Sequence, residues 1–160
     1  MIIYHGGTDI IKEPRIITSE IGRDFGAGFY TTDIKEQAIK WAKRKATNRK
    51  NTEAILNIYE FDDSAFEQLN CKDYEGYSME WLDLVVACRQ DAAFKHGFDL
   101  VTGKIANDDV GETVQAVVNG LAPKEFALDK LKHMSVNNQI CFCTETALGF
   151  LKFISAEKVK

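Results

Sequence analysis

Short runs of apolar residues, separated by polar and glycine-containing stretches, divide this chain into predicted strands and helices. The clearest strand is residues 54–61, in which β-branched and aromatic residues dominate. Further strands are predicted at residues 2–5, 28–32, 98–105 and 139–143, with a last edge strand within 152–160. These strands are short and widely spaced along the chain, so we expect helices to be inserted between them.

Apolar residues that recur every three or four positions predict the helices. One helix is expected to run to about Ala46 from a capping-box-like start formed by Asp33 and Glu36. A second covers residues 78–91, with Ser78 as its N-cap. The other predicted helices are residues 64–69, 108–120 (capped by Asn107 or Asp108), 123–133 and a short segment from Thr144 to about Leu151. We therefore predict a single α+β domain over residues 1–160.

The composition is that of an ordinary globular domain. Of the 160 residues, 45% are hydrophobic and 28% are charged, which is sufficient for one packed core. A net charge of −4 argues against the global basic surface of most nucleic-acid-binding proteins. A local basic cluster fits either a solvated helix face or a phosphate-contacting patch: Lys40, Lys43, Arg44, Lys45, Arg49 and Lys50.

Targeting and redox signals predict a cytoplasmic location. No secretory signal follows Met1, and the longest apolar runs are too short to cross a bilayer, so no membrane association is expected. The four cysteines fit reduced thiols in that compartment. Cys141 and Cys143 alternate along a predicted strand, so they share one face and are interpreted as buried thiols. No metal is expected, because the three histidines supply no obvious ligand pair: His5, His96 and His133.

The segment from Asp24 to Thr32 carries the strongest candidate chemistry. Its sequence, Asp-Phe-Gly-Ala-Gly-Phe-Tyr-Thr-Thr, predicts a glycine-bent loop that leads into a short strand. Tyr30 lies near the end of that strand, and Trp41 follows 11 residues later, about two turns into the next helix. This spacing can bring two aromatic faces together around a flat ligand. Taken singly, these aromatic residues fit core packing, and only their order with the other motifs favours a binding site.

That order of motifs resembles the catalytic core of ADP-ribosyltransferases of the diphtheria-toxin and poly(ADP-ribose)-polymerase type. The matching residues, in chain order, are His5-Gly6, then Gly26-Ala27-Gly28-Phe29-Tyr30, then Trp41, then Gln139. The whole chain also resembles a bacterial family that carries a domain of unknown function and is grouped with that superfamily. The marks of this family are an opening Tyr-His-Gly, the glycine-rich core above, a Gln-Ala-x-x-Trp-Ala helix and a late Asn-Asn-Gln-Ile-Cys-Phe-x-Thr-Glu-x-Ala-Leu segment.

The resemblance implies the split, twisted β-sandwich of ADP-ribosyltransferases, with helical insertions, and NAD as the co-substrate. It also implies catalytic roles for His5, Tyr30 and Gln139. His5 would hydrogen-bond a ribose hydroxyl, and Tyr30 would stack on the nicotinamide ring. Breaking the nicotinamide–ribose bond requires that the ligand be held and water be excluded, which this set of groups can do.

Five further residues form the implied NAD-binding set: Gly6, Gly28, Trp41, Arg15 and Arg23. Trp41 would provide the second stacking face, and Gly6 would leave room for its backbone to pair with the carboxamide. Arg15 and Arg23 lie in the loop between the first two motifs and suit bidentate contact with the pyrophosphate. As loop residues they equally fit solvated positions.

Gln139 departs from the family pattern, in which this position is often Glu. A neutral amide can accept a hydrogen bond from a ribose hydroxyl, but it carries no charge to stabilise a positively charged ribose. This puts chain elongation in doubt and leaves transfer of a single ADP-ribose, NAD hydrolysis or no chemistry. Asn137 matches the target-orienting position of related toxins, so we expect it to contact the acceptor. Glu112 and Glu145 are the reserve carboxylates.

The sequence therefore predicts an NAD-dependent mono-ADP-ribosyltransferase that acts on a macromolecular acceptor, either protein or nucleic acid. An intracellular modifier without a signal peptide would fit a bacterial toxin or defence component, which implies an antitoxin protein as its partner. Two alternatives stay open. One is a catalytically degenerate module that binds NAD, ADP-ribose or nucleic acid. The other is a protein-interaction domain built on the helical segment at residues 106–134.

Overall fold

Two β-sheets and six helices form the part of the chain that the structure describes. This computed structural model describes residues 1–18, 22–50, 52–106, 108–131 and 137–160. In chain order the elements are β1 (Ile2–Gly7), β2 (Phe29–Thr31), α1 (Lys35–Asn48), β3 (Ala54–Phe61), α2 (Ala65–Gln68), β4 (Cys71–Asp73), α3 (Met79–Gln90), β5 (Leu100–Gly103), α4 (Asp108–Val118), α5 (Lys124–Leu131), β6 (Gln139–Phe142), α6 (Glu145–Leu148) and β7 (Leu151–Val159).

Both sheets are assembled from strands that are distant in sequence. The first sheet has the order β1-β3-β7 and is antiparallel throughout. The second has the order β2-β6-β5-β4, in which β4 and β5 are parallel and the other neighbours antiparallel. Helices are inserted between the strands along the chain, so the fold belongs to the predicted α+β class.

In the second sheet, strands β2, β5 and β6 are buried on both faces. On one face, Phe29, Ile140 and Phe142 join a cluster with apolar residues of the first sheet. On the other face, Tyr30 and Cys141 join a cluster with residues of α3, α4 and α5. Because successive side chains of a strand alternate between the two faces, each of these short strands contributes to both cores.

One residue pair joins the two sheets where β1 meets the end of β2. Tyr4 and Thr32 exchange both backbone hydrogen bonds, with N···O distances of 2.8 and 2.9 Å. His5 follows Tyr4 directly, and its Nδ1 atom lies 2.7 Å from the backbone carbonyl oxygen of Tyr30. The junction of the sheets therefore brings the first two sequence motifs into contact.

Helix α1 packs so closely against β1 that only glycine fits at residue 6. A Cβ atom at Gly6 would lie 2.0 Å from the carbonyl oxygen of Ala38 and 2.8 Å from the backbone nitrogen of Ala42. Ala38 and Ala42 are themselves fully buried, and their small side chains permit the close approach. The His-Gly motif thus fixes α1 against the strand that carries His5.

Several local sequence signals are confirmed by the structure. The hydroxyl of Ser78 accepts from the backbone N–H of Trp81 at 3.1 Å, and Thr144 caps α6 in the same way by accepting from Ala147 at 3.2 Å. The strand predicted at residues 54–61 is β3. The last strand, β7, lies at an edge of the first sheet, as expected.

The predicted capping box at the start of α1 is wrong. Ile34 occupies the N-cap position and makes no side-chain cap hydrogen bond. The carboxylate of Asp33 instead accepts from the side-chain amide of Asn138 at 3.1 Å. The hydroxyl of Thr32 accepts from the N–H of Ile34. A contact between residues 105 positions apart has replaced the local one, and residue spacing cannot reveal such a contact.

Several element boundaries also differ from the prediction. Strand β1 continues through both glycines to Gly7, and the strand predicted at residues 98–105 is limited to β5. Strand β4 was not predicted, because it is three residues long and mostly polar. Helix α6 ends at Leu148, since β7 already begins at Leu151. Asn107 and residues 132–133, which belong to predicted elements, lie outside the described residues.

Within the described ranges, no helix is long and apolar enough to cross a membrane. In the same ranges, no group of three or more His, Cys, Asp or Glu side chains is placed to hold a metal ion. The four cysteines are free thiols.

We expect Gly6→Ala to destabilise the fold strongly, because the added methyl group would overlap backbone atoms of α1. Overpacking typically costs about 1–3 kcal/mol of unfolding free energy, and a clash with backbone belongs at or above the upper end of that range. Denaturant unfolding measures the loss. Gly7→Ala is the matched control, because its methyl group would approach the His5 ring at 3.3 Å and backbone only at 4.0 Å. Equal stability of the two variants would contradict the packing role of Gly6.

Candidate functional site

A cavity of about 250 Å³ lies beside the junction of the two sheets. Its lining includes five residues that the sequence singled out: His5, Tyr30, Trp41, Gln139 and Arg23. The first four belong to β1, β2, α1 and β6, and Arg23 lies in the loop before β2. The fold therefore brings motifs from both ends of the chain around one space.

His5 is held in one orientation and one protonation state. Its Nδ1 atom lies 2.7 Å from the carbonyl oxygen of Tyr30, and a carbonyl can only accept, so Nδ1 carries the proton. The ring stacks on Phe29, with centroids 4.5 Å apart. Burial, assisted by the Lys45 cation, lowers the pKa of His5 from 6.5 to about 3. At neutral pH the second ring nitrogen, Nε2, therefore has an acceptor lone pair.

Tyr30 is fixed through its hydroxyl group. The hydroxyl donates to the carbonyl oxygen of Gly26 at 2.6 Å and accepts from the N–H of Phe25 at 3.0 Å. Burial raises the pKa of this phenol well above its usual range, so it stays protonated. The guanidinium carbon of Arg23 lies 4.3 Å from the ring centroid, within cation–π distance. One face of Tyr30 is therefore covered by a cation.

Helix α1 contributes one aromatic and two cationic side chains to the cavity. Trp41, Arg44 and Lys45 are three and four positions apart, so they share one face of the helix, and all three line the cavity. Together with Arg23 they give the lining a positive character. The basic cluster seen in the sequence is thus partly a cavity wall, and such a wall favours an anionic ligand.

A buried carboxylate, that of Asp24, organises one wall of the cavity. Arg89 donates two hydrogen bonds to its Oδ1 atom, at 2.6 and 3.1 Å. Its Oδ2 atom accepts from the backbone N–H of Ala106 at 2.8 Å and from the side-chain amide of Gln139 at 3.0 Å. Asp24 therefore ties the loop before β2 to α3, to the segment after β5 and to β6.

Gln139 is fixed by the same carboxylate. Its side chain is 3% exposed, and its Nε2 atom donates to Asp24 and to the carbonyl oxygen of Lys104, the latter at 3.1 Å. Because both N–H bonds of the amide have protein acceptors, the group can offer a ligand only its carbonyl oxygen. A glutamate in this position would place a second carboxylate against Asp24. Two acceptors therefore surround residue 139, and they favour a neutral amide over a carboxylate at this position.

Side chains from two other segments fix the start of β6. Gln37 pairs with the backbone of Asn138, donating to its carbonyl at 2.5 Å and accepting from its N–H at 3.1 Å. The side chain of Asn137 accepts from the N–H of Ile105 at 2.8 Å and donates to the hydroxyl of Tyr77 at 3.0 Å. Asn137 is the residue predicted to contact an acceptor. In the structure it holds the backbone of Ile105, which lines the cavity.

Other predicted residues, all within the described part of the chain, are not part of this lining. Gly6 faces α1. Gly28 faces β6, where a Cβ atom would lie 2.4 Å from the sulfur of Cys141. Arg15 is exposed and does not line the cavity. The reserve carboxylates Glu112 and Glu145 also lie outside the lining.

Sequence reasoning missed Asp24 and Arg89 as members of the site. Asp24 was noted only as the first residue of the glycine-rich motif. The buried positions of α3 are apolar apart from Cys88, and Arg89 comes directly after Cys88. A charged residue beside buried positions is the one feature of the sequence that indicates a role for Arg89. Their pairing joins residues 65 positions apart and has no local sequence pattern.

The fold and the cavity define an α+β protein with a basic cavity at the junction of its two sheets. The chain belongs to the family described as protein of unknown function (DUF3990), which matches residues 1–153. That match includes every residue that lines the cavity. No curated protein matches the chain.

We expect His5 to make the fold less stable as the pH falls. Between about pH 6.5 and pH 3, the unfolded chain binds a proton at this residue that the folded chain does not bind. The unfolding free energy then falls by up to about 1.4 kcal/mol per pH unit from this group alone. Denaturant unfolding of wild type and His5→Gln at about pH 7 and about pH 5 isolates this contribution, since other groups titrate in both proteins. An identical loss in the two proteins would show that His5 is not buried in its neutral form.

Gln139→Glu is expected to destabilise the protein, and increasingly so as the pH rises. The new carboxyl group would lose the two donated hydrogen bonds and face the Asp24 carboxylate, so its pKa in the folded state would lie above its unfolded value. Stability is then lost as the pH rises from the unfolded toward the folded pKa. The double variant Asp24→Asn with Gln139→Glu restores a donor–acceptor pair and should recover part of the loss. A single variant as stable as wild type at neutral pH would refute this arrangement.

Proposed function

We propose that this protein is an NAD-dependent mono-ADP-ribosyltransferase. The observation that carries the proposal is the convergence of His5, Tyr30, Trp41 and Gln139 on one cavity of about 250 Å³. These are the residues that the resemblance to ADP-ribosyltransferases selects, and they come from four separate elements. The two sheets meet where β1 contacts the end of β2. This arrangement supports the proposal of a split β-sandwich like that of ADP-ribosyltransferases.

The charge of the cavity supports a ligand that contains a diphosphate. Arg23, Arg44 and Lys45 all line it, and the negative charge of Asp24 is paired with Arg89 at 2.6 Å. Arginine in particular suits phosphate oxygens, because its planar group can donate two parallel hydrogen bonds. A flat ring could then contact the aromatic side chains of the lining while a diphosphate contacts the basic ones.

The polar groups that line the cavity can bind a ribose. The Nε2 atom of His5 is an acceptor at neutral pH and can receive a hydrogen bond from a ribose hydroxyl. The carbonyl oxygen of Gln139 can receive a second one, because the amide nitrogen is already directed at protein acceptors. In this proposal the amide dipole and the nearby Asp24 carboxylate stabilise the positive charge that develops on the ribose as nicotinamide leaves.

A ring that stacks on Tyr30 from the cavity side must take the place of Arg23, which covers one face of that ring. Trp41 is half-buried and can contact a ligand without such an exchange. We therefore propose that Trp41 makes the first aromatic contact, and that Arg23 moves toward the phosphates as the ring settles on Tyr30.

A second candidate function is a module that binds NAD or ADP-ribose without turnover. One observation favours it: the carboxylate in the cavity, Asp24, already accepts four hydrogen bonds, and residue 139 is a neutral amide. Both hypotheses require binding, and only the transferase releases nicotinamide. The macromolecular acceptor, the antitoxin partner and the cytoplasmic location are proposals that follow from the sequence alone.

We expect NAD to raise the melting temperature and bind in the cavity, with release of nicotinamide when cell lysate supplies an acceptor. Trp41→Ala should weaken binding about 2- to 10-fold, in line with about 0.5–1.5 kcal/mol for an aromatic stacking contact. Arg44→Ala should weaken it as well, and its effect should shrink at high salt. Calorimetric titration and nicotinamide release give the two readouts.

Lys43→Ala is the matched control, because Lys43 is an exposed cation next to Arg44 on α1 and does not line the cavity. Binding without release in every lysate would favour the binding module. No binding at millimolar NAD, or equal effects of Trp41→Ala and Lys43→Ala, would overturn the proposal for this cavity.

A further inference from the structure

Two thiols lie side by side at the end of β6, outside the cavity lining. The sulfur atoms of Cys141 and Cys143 are 3.5 Å apart. Cys141 is completely buried and Cys143 is half-buried. The prediction that both side chains share one face of the strand is confirmed by this contact, whereas the prediction that both are buried holds only for Cys141.

The two thiols differ in their surroundings. The hydrogen bond between the two thiols, assisted by the His96 side chain and opposed by burial, lowers the pKa of the Cys143 thiol to about 6. Burial raises the pKa of Cys141 well above its usual range, so this residue keeps its proton and can donate it. Cys88 and the Asp99 carboxylate also face Cys143, and burial raises the pKa of Cys88 to about 12. Cys143 is therefore the thiol of this group that is both accessible and ionised near neutral pH.

We propose that Cys143 and Cys141 form a peroxide-reactive thiol pair that closes to a reversible disulfide. The Cys143 thiolate attacks one oxygen of a hydroperoxide, the O–O bond breaks, and a proton from water completes the departing alcohol or water. Cys143 is thereby oxidised to a sulfenic acid and the peroxide is reduced. The proton of Cys141 passes to the sulfenic hydroxyl, the Cys141 sulfur, now a thiolate, attacks the sulfur of Cys143, and the hydroxyl leaves as water.

The position of the two residues explains why the disulfide would be reversible. Residues two apart on an extended strand have Cα atoms about 6.6 Å apart, which is at the upper limit of the range found for disulfides. A disulfide at that separation would be strained, because the N–H of Cys143 is hydrogen-bonded to the carbonyl oxygen of Asp99 at 2.8 Å and holds the chain where it is. Strained disulfides of this kind are readily reduced.

The pair also touches the structure that carries Tyr30. Cys141 is the direct neighbour of Tyr30 across the β2–β6 ladder, and its sulfur occupies the space left by the missing side chain of Gly28. Oxidation at Cys141 would thus alter the packing behind one wall of the cavity. The thiol chemistry itself does not depend on the proposed transferase activity.

The test is treatment of the reduced protein with equimolar hydrogen peroxide near neutral pH, followed by N-ethylmaleimide blocking and peptide mass spectrometry. We expect the peptide that holds both residues to lose the mass of two hydrogen atoms and to escape blocking, and dithiothreitol to reverse this. In Cys141→Ser, Cys143 should instead be trapped as a sulfenic acid by dimedone. Cys143→Ser should abolish both products, and Cys88→Ser should change neither.

A second measurement uses the wild-type protein alone, so that a misfolded variant cannot obscure the result. The rate of iodoacetamide alkylation at Cys143 should exceed that at Cys71, the other half-buried thiol, at least tenfold near pH 6.5, and it should level off above that pH. A disulfide between Cys143 and Cys88, no loss of thiols, or equal alkylation rates at Cys143 and Cys71 would overturn the proposal.

Discussion

The burial of one carboxylate, that of Asp24, is the constraint on which the geometry of the cavity depends. A charge removed from water must be paired and hydrogen-bonded, or the fold loses several kcal/mol. Here that requirement draws together Arg89 from α3, the backbone of Ala106 and the amide of Gln139. Each of these groups belongs to a different segment of the chain. The positions of the segments that form the cavity wall therefore depend on the four hydrogen bonds that Asp24 accepts.

The sequence predicted those elements that depend on interactions between residues close together in the chain. Strand β3 and the caps at Ser78 and Thr144 depend on residues within a few positions of one another, and they were found. The start of α1 was not, because Asp33 is engaged by Asn138 from the opposite end of the chain. In the same way, the motif residues that line the cavity were identified, while the partnership of Asp24 with Arg89 and Gln139 was not. Pairings between distant segments leave no periodic pattern to detect.

Several motif residues turn out to hold the fold together around the cavity. Gly6 permits the approach of α1, and Gly28 makes room for the sulfur of Cys141. Gln37 binds the backbone of Asn138, and Asn137 binds that of Ile105. The motifs therefore record packing and positioning demands as well as the lining of the cavity. This explains why a motif can predict where a cavity lies without predicting which of its members line it.

Arg23 has a consequence for how quickly the cavity can be filled. Its guanidinium group rests on the face of Tyr30, next to Gly22, whose φ of 75° is in the left-handed region. A cation–π contact of this kind is worth about 0.5–2 kcal/mol, and that amount is subtracted from the affinity of any ring that replaces it. A ring ligand of the proposed kind would then bind Tyr30 in two stages, an encounter with the basic side chains followed by a rotation of Arg23. Saturating association kinetics would be the signature of such gating.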